Sequence, residues 1–105
     1  IRNGVNLVNG TWVHIIAVRS SGTGYIYTNN ANVASASIPD DVDYALELYI
    51  AKNNDGTYPR NFNGELDDIR IYDYALSASD RAFIYNNGDG TEGEIPSARR
   101  IIMVN

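Results

Sequence analysis

The sequence contains no cysteine and a single histidine, His14. Disulfides, thiolate chemistry, cysteine-based zinc sites, most histidine-ligated metal sites and the usual Ser-His relays are thereby removed. Positive charge is scarce too: eight Lys+Arg stand against thirteen Asp+Glu, a formal charge of −5. That balance argues against a nucleic-acid binder, which should carry a basic face. No apolar run approaches the ~20 residues needed to cross a bilayer, so no segment reads as membrane-inserting. At 105 residues and 11.6 kDa the chain holds one small domain. A chain of this size hides only ~65% of the surface it exposes when unfolded, so every strand and its partner counts. Composition describes an acidic module with little capacity for catalysis.

Tyrosine, asparagine and glycine are abundant. Eight Tyr accompany one Trp and two Phe, and nine Gly and many Asn punctuate β-branched runs, the pattern of a sheet protein. Hydrophobic residues at 44% and charged residues at 20% put the chain on the globular side.

Thr11–Arg19 is an apolar, β-branched stretch behind the Asn9-Gly10 turn signal. Ile16 and Val18 lie on one parity and Val13, Ile15 and Ala17 on the other, so a strand buried on both faces is expected, with Trp12 in the core and His14 hydrogen-bonded in the strand. Ser20–Gly24 reads as a loop, Tyr25–Asn29 as a strand, Asn29–Asn32 as a turn and Val33–Ser37 as the returning strand. Tyr44, Leu46, Leu48 and Ile50 alternate with Ala45, Glu47 and Tyr49, the cleanest period-2 signal in the chain. Lys52–Asn63 is a polar loop of a length that is uncommon unless functional. Glu65–Tyr72 reads as a strand with Ile69 and Ile71 on one face and Asp68, Arg70 and Tyr72 on the solvated other. Ser77–Tyr85 is the one convincing helix, with Ser77 as cap, Asp80 completing a capping box and Gly88 as the stop. Arg100–Val104 can form a last strand, so residues 93–105 are a tail or an extra strand.

Three segments carry a family resemblance: Trp12-Val13-His14-Ile15-Ile16-Ala17, Tyr25-Ile26-Tyr27-Thr28-Asn29, and above all Phe62-Asn63-Gly64-Glu65-Leu66-Asp67-Asp68-Ile69-Arg70-Ile71-Tyr72 leading into Tyr74-Ala75-Leu76-Ser77. Their order resembles the C-terminal half of a laminin-G-like, or concanavalin A-like, jelly roll. The fold expected is an antiparallel jelly-roll β-sandwich, incomplete in this chain, with one short helix near the C-terminus. Six or seven strands are countable, fewer than the family's two sheets of about six, and open edges are an aggregation hazard. With Ile1 rather than Met at the start, the chain is read as a mature product or, preferably, a fragment, its sheets completed by upstream residues or by neighbouring chains.

Two candidate sites follow. Asp67 shares parity with Ile69 and Ile71, so its carboxylate is expected to face the inter-sheet space, where it must be paired, hydrogen-bonded or bound to a cation. In similar jelly rolls the matching Asp helps hold a structural calcium; otherwise Asp67 accepts backbone or Arg hydrogen bonds and fixes the start of its strand. The loop Asn53-Asn54-Asp55-Gly56 is similar in position to the calcium loop of pentraxins, distant relatives, and offers oxygens from Asn53, Asn54 and Asp55. With one formal negative charge it would bind calcium weakly, or it is an Asn-Asp-Gly turn. Asn54, Tyr58, Arg60 and Phe62 bring the aromatic planes and polar groups that sugar rings need, or they pack as an ordinary loop.

The E-x-D-x-E pattern of retaining glycosidases in this fold is absent from the sequence, and without paired carboxylates glycosidic cleavage has neither acid nor nucleophile. The resemblance therefore implies a non-catalytic carbohydrate-binding or adhesion module of an extracellular protein, on a cell or virion surface, with Ca2+ as possible cofactor and a glycan or surface protein as partner. The alternative is a structural or decoration domain that packs against neighbouring chains.

Overall fold

A computed structural model describes residues 10–38, 48–53, 56–57, 60–95 and 100–104. Three antiparallel strands, β1 (Ile15–Ser20), β2 (Thr23–Thr28) and β3 (Ala31–Ser37), form a meander in the order β1-β2-β3. Both connections are two-residue hairpin turns. Ser21 and Gly22 have φ of 48° and 74°, Asn29 and Asn30 have 48° and 63°, and positive φ at both central positions makes each turn type I′. This turn matches the natural twist of the flanking strands. The loop expected over Ser20–Gly24 is thus shorter, and β2 and β3 each start two residues earlier than the sequence pattern indicates. The second turn is braced by its own side chain: Asn29 N–H donates to the His14 carbonyl (2.9 Å), and His14 N–H donates to Asn29 Oδ1 (3.1 Å). Between Ile26 and Tyr27 the β2–β3 register slips by one residue, a bulge.

A two-stranded piece follows, β4 (Lys52–Asn53) against β5 (Arg60–Asn61), inside the stretch expected to be a loop. Of the alternating segment expected over 44–50, residues 44–47 lie outside the described residues and 48–50 are not a strand. The strand expected from Glu65 starts only at Ile69: β6 (Ile69–Tyr72) pairs antiparallel with β7 (Arg100–Val104), which bears out the expected final strand. Asp68 sits at φ +51°, in the left-handed region, and this residue ends any continuous extended run through Asp67.

Helix α1 (Ala78–Tyr85) has the cap that the sequence announces. Ser77 Oγ accepts from the Asp80 N–H (3.1 Å) while the Asp80 carboxylate accepts from the Ser77 N–H (3.1 Å), a complete capping box. It stops at Asn86, which adopts the left-handed conformation (φ 46°), rather than at Gly88; a short 3₁₀ turn over Asn86–Gly88 follows.

The core is small. Ile16 and Val18 from β1, Leu76, Ile84 from α1 and Ile95 are buried, with Tyr25, Tyr27, Tyr72 and Tyr74 packed around them. Among the described residues no side chain is fully sealed from solvent. Two expectations fail here. Strand β1 is buried on one face only: Ile16 and Val18 point inward, but Ile15 is 55% exposed and Ala17 is exposed. Trp12 is 64% exposed and precedes the strand instead of filling the core. The reason is one of cover: α1 and the segment around Leu76 blanket the Ile16 face, and no described element blankets the other.

Candidate functional site

The β4–β5 pair gathers part of the expected ligand-binding set. Asn53 and Arg60 are directly opposite each other in the ladder, and the pairing is prolonged by Phe62 N–H donating to the Ala51 carbonyl (2.7 Å). Arg60 is exposed, and Phe62 is 45% exposed with its ring seated on Gly64. A Cβ at Gly64 would lie 2.8 Å from the Phe62 ring carbons, so the missing side chain is what lets the ring lie there. On the neighbouring strand, Lys52 Nζ stands 4.5 Å from the Tyr49 ring centroid, a cation–π contact. Asn54, Asp55 and Tyr58 lie outside the described residues.

Asp67 is not where parity puts it. It is exposed, ahead of β6, and its Oδ1 accepts the N–H of Asp68 (2.8 Å). This local bond holds the backbone as it enters the left-handed turn at Asp68. Among the described residues no three acidic or histidine side chains gather as a cation cage. Calcium takes six to eight oxygens, so at Asp67 the described donors alone do not fit it.

A second region was not legible as a site. Arg70, expected on the solvated face, has only 6% of its side chain exposed against 40% for its partner Asp68. Arg70 Nε donates to Asp68 Oδ1 (2.7 Å), Nη1 to the Gly93 carbonyl (3.2 Å) and Nη2 to the Thr91 carbonyl. The guanidinium thus straps the 91–93 loop onto β6. Burial works against its charge, but the bonds to Asp68 and to the Tyr72 phenol outweigh it, and the pKa is raised. No local signal announces this, because the covering loop lies more than twenty residues downstream.

Arg70 also borders an open cleft of about 710 Å3 between β1 and β6. His14, Ile15, Ala17, Tyr72 and Tyr74 line it as well. His14 stacks at a tilt on Tyr85 (centroids 5.6 Å), and burial, the leading cause, lowers its pKa; the Asp68 carboxylate opposes this and Arg70 adds to it. The Tyr74 phenol is raised, first by burial and then by Asp80, and packs edge-on against Tyr72 (5.9 Å, 79°). On the far side of β1, Arg81 lies over the Tyr27 ring at 4.0 Å and donates through Nη1 to the Leu76 carbonyl (3.0 Å).

The meander, the strand that follows Asp67-Asp68 and the capped helix behind it are the arrangement of a laminin-G-type jelly roll. A family model described as the concanavalin A-like lectin/glucanases superfamily matches residues 1–80. The chain belongs to this superfamily. Within the concanavalin A-like fold, a solved relative is residues 221–444 of an S-layer domain-containing protein from Clostridium thermocellum ATCC 27405, with 34% sequence identity and a TM-score of 0.60. The match covers 75% of this concanavalin A-like chain and 41% of that one, so this chain spans less than half of the crystallised piece. No curated protein matches. Among the described residues, no helix of the concanavalin A-like domain is long and apolar enough to cross a membrane.

Proposed function

We propose that this domain is a non-catalytic recognition module of a cell-surface protein, which contacts glycan or an adhesion partner through the β4–β5 end. The observation that carries the reading is Phe62: a large aromatic ring held half-exposed on Gly64, beside the exposed Arg60. A ring with one open face and a neighbouring cation suits a sugar's apolar face and hydroxyls, and such a surface gains by stacking what it leaves unburied in the free domain. The superfamily's lectin members and the surface-layer context of the Clostridium relative support an extracellular location. In this reading calcium assists from the loop containing Asn53, Asn54 and Asp55.

The test is binding of a glycan panel to the wild-type chain and to Phe62→Ala, each in millimolar calcium and in EDTA. Loss of binding in Phe62→Ala at unchanged thermal midpoint is the expected result. A panel with no binder, or binding indifferent to Phe62, overturns the glycan reading. A calcium-independent signal removes the cation alone.

A second reading is favoured by other residues. Trp12, Ile15, Leu48, Ile50 and Leu66 are all exposed, an apolar load that a small free-standing domain has reason to cover. In this reading the domain packs against neighbouring protein chains, and association at micromolar concentration in sedimentation velocity is the outcome that supports it.

A further inference from the structure

We propose that Asn63-Gly64 is a self-modification site: Asn63 deamidates through a cyclic imide to isoaspartate, and the product unseats the Phe62 ring from Gly64. The inference goes beyond the recognition reading and stands without it, because it needs no ligand.

The chemistry makes three demands on the chain. The backbone nitrogen after an asparagine must attack the side-chain carbonyl carbon, Cγ. That nitrogen must therefore be unhindered, free of hydrogen bonds and able to swing toward Cγ. Glycine meets the first demand, having no Cβ beside the attacking nitrogen. The sequence has four Asn-Gly pairs, beginning at residues 3, 9, 63 and 87, and Asn3 and Asn9 lie outside the described residues.

The fold treats the other two pairs differently. Asn63 and Gly64 are exposed, in the irregular stretch between β5 and β6. The last hydrogen bond before them runs from Phe62 N–H to the Ala51 carbonyl, and the next from Asp68 N–H to Asp67 Oδ1. Among the described residues none involves Asn63 or Gly64, so nothing holds the chain here against the rotation that brings Gly64 N to Cγ. Asn87 is the opposite case. Its φ of 55° and ψ of 25° keep Gly88 N turned away from its side chain. The turn around it is closed by Asp89 N–H to the Asn86 carbonyl (3.0 Å), Gly90 N–H to the Tyr85 carbonyl (3.1 Å) and Asn86 Nδ2 to the Gly90 carbonyl (2.8 Å). Rotating Asn87 breaks this turn. Asn87-Gly88 thus reacts from a locally opened state, whereas Asn63-Gly64 reacts in the folded chain.

The reaction consumes water and needs no oxidant. Gly64 N gives up its proton and bonds to Asn63 Cγ while the Cγ–Nδ2 bond breaks, and Nδ2 leaves with that proton as ammonia. Water then opens the imide. Attack at the side-chain carbonyl leaves aspartate. Attack at the main-chain carbonyl leaves isoaspartate, whose main chain runs through Cβ and Cγ and whose former α-carboxyl is a new negative charge.

The consequence falls on Phe62. Its ring fits because Gly64 carries no side chain: a Cβ there would lie 2.8 Å from two ring carbons. Isoaspartate inserts an extra main-chain carbon between these two residues and so moves the seat from under the ring. Aspartate keeps the spacing. The Phe62 surface therefore has a lifetime set by its own backbone.

The experiment incubates the full 105-residue chain in mildly alkaline buffer, folded and in urea, and follows tryptic peptides by mass spectrometry. Cleavage at Arg60 and Arg70 releases 61–70, which holds Asn63; cleavage at Arg81 and Arg99 releases 82–99, which holds Asn87. In the folded chain Asn63 should convert roughly tenfold or more faster than Asn87, the weight of the turn hydrogen bonds, and in urea the two rates should converge. Asn63→Gln, which would have to close a six-membered ring, should leave peptide 61–70 unconverted. In the isoaspartyl product the Phe62 ring and Gly64 α-proton resonances should move, and in Asn63→Asp they should stay near wild type. Equal rates at Asn63 and Asn87 in the folded chain, or protection of Asn63 by folding as strong as that of Asn87, overturns the site. Isoaspartate that leaves the Phe62 and Gly64 resonances in place overturns the displacement.

Discussion

Replacing Asp68 by asparagine isolates the charge that holds Arg70. Asparagine tolerates the left-handed backbone at this position (φ +51°) as well as aspartate does, and it retains a carbonyl oxygen near Arg70 Nε, so geometry and strain stay while the negative charge goes. The magnitude follows from the unequal burial of the two partners. Removing one member of a fully buried ion pair costs about 3–5 kcal/mol, and an exposed pair is worth about 0–1 kcal/mol. With Arg70 6% exposed but Asp68 40% exposed, the loss should fall between, at roughly 1–2 kcal/mol. Asp68→Ala adds the left-handed penalty of about 1–2 kcal/mol. The assay is urea unfolding followed by circular dichroism, since the exposed Trp12 is a poor reporter of the core. For a domain of this size 1 kcal/mol moves the thermal midpoint by about 4–8 °C, so Asp68→Asn is readily resolved. A double-mutant cycle with Arg70→Met should give a coupling of roughly 1 kcal/mol or more. Identical midpoints for wild type and Asp68→Asn, or a coupling near zero, would refute the view that Arg70 straps the 91–93 loop as a charge held by its partner.

Two other outcomes are expected. Burial lowers the His14 pKa in the fold, so the unfolded chain binds the proton more readily; stability is full above about 6.5 and falls as pH drops below it, and His14→Gln should flatten that limb in urea midpoints taken from pH 7.5 to 5. Ser77→Ala removes the Oγ half of the capping box, leaving the backbone N–H of residue 77 to donate to Asp80, and should cost about 1 kcal/mol in the same assay, with Ser77→Asp recovering most of it.

Local chemistry was readable in the sequence wherever a few neighbouring residues decide the outcome. The Ser77–Asp80 cap, the Asn29-Asn30 turn and the pairing potential of Arg100–Val104 all fall in this class, whereas the incomplete antiparallel sandwich was implied by the family resemblance. The failures share a cause. Alternation tells which residues share a face but not what lies over it, so Arg70 was assigned to solvent although residues 91–93 cover it, and Trp12 and Ile15 were assigned to a core although no described element reaches them. Asp67 failed for another reason: parity counts through a strand, and the left-handed Asp68 resets the count. Of the expected binding set, the ladder brings Asn53 and Arg60 together and leaves Phe62 beside them, while Asp67 has its own local bond. The cleft went unseen because it lies between β1 and β6, which are far apart in the sequence.

The two type I′ turns have a consequence for the order in which this chain folds. Each joins its strands through two residues, so residues 15–37 can zip up through contacts that are nearly all local, on the microsecond scale of hairpin formation. The β6–β7 pair must instead close the whole connection from Tyr72 to Arg100, at a chain-entropy cost greater by roughly 2 kcal/mol. The meander is thus the natural nucleus. Substitutions at Asn29 or Gly22 should slow refolding, whereas changes at Arg70 should mainly speed unfolding.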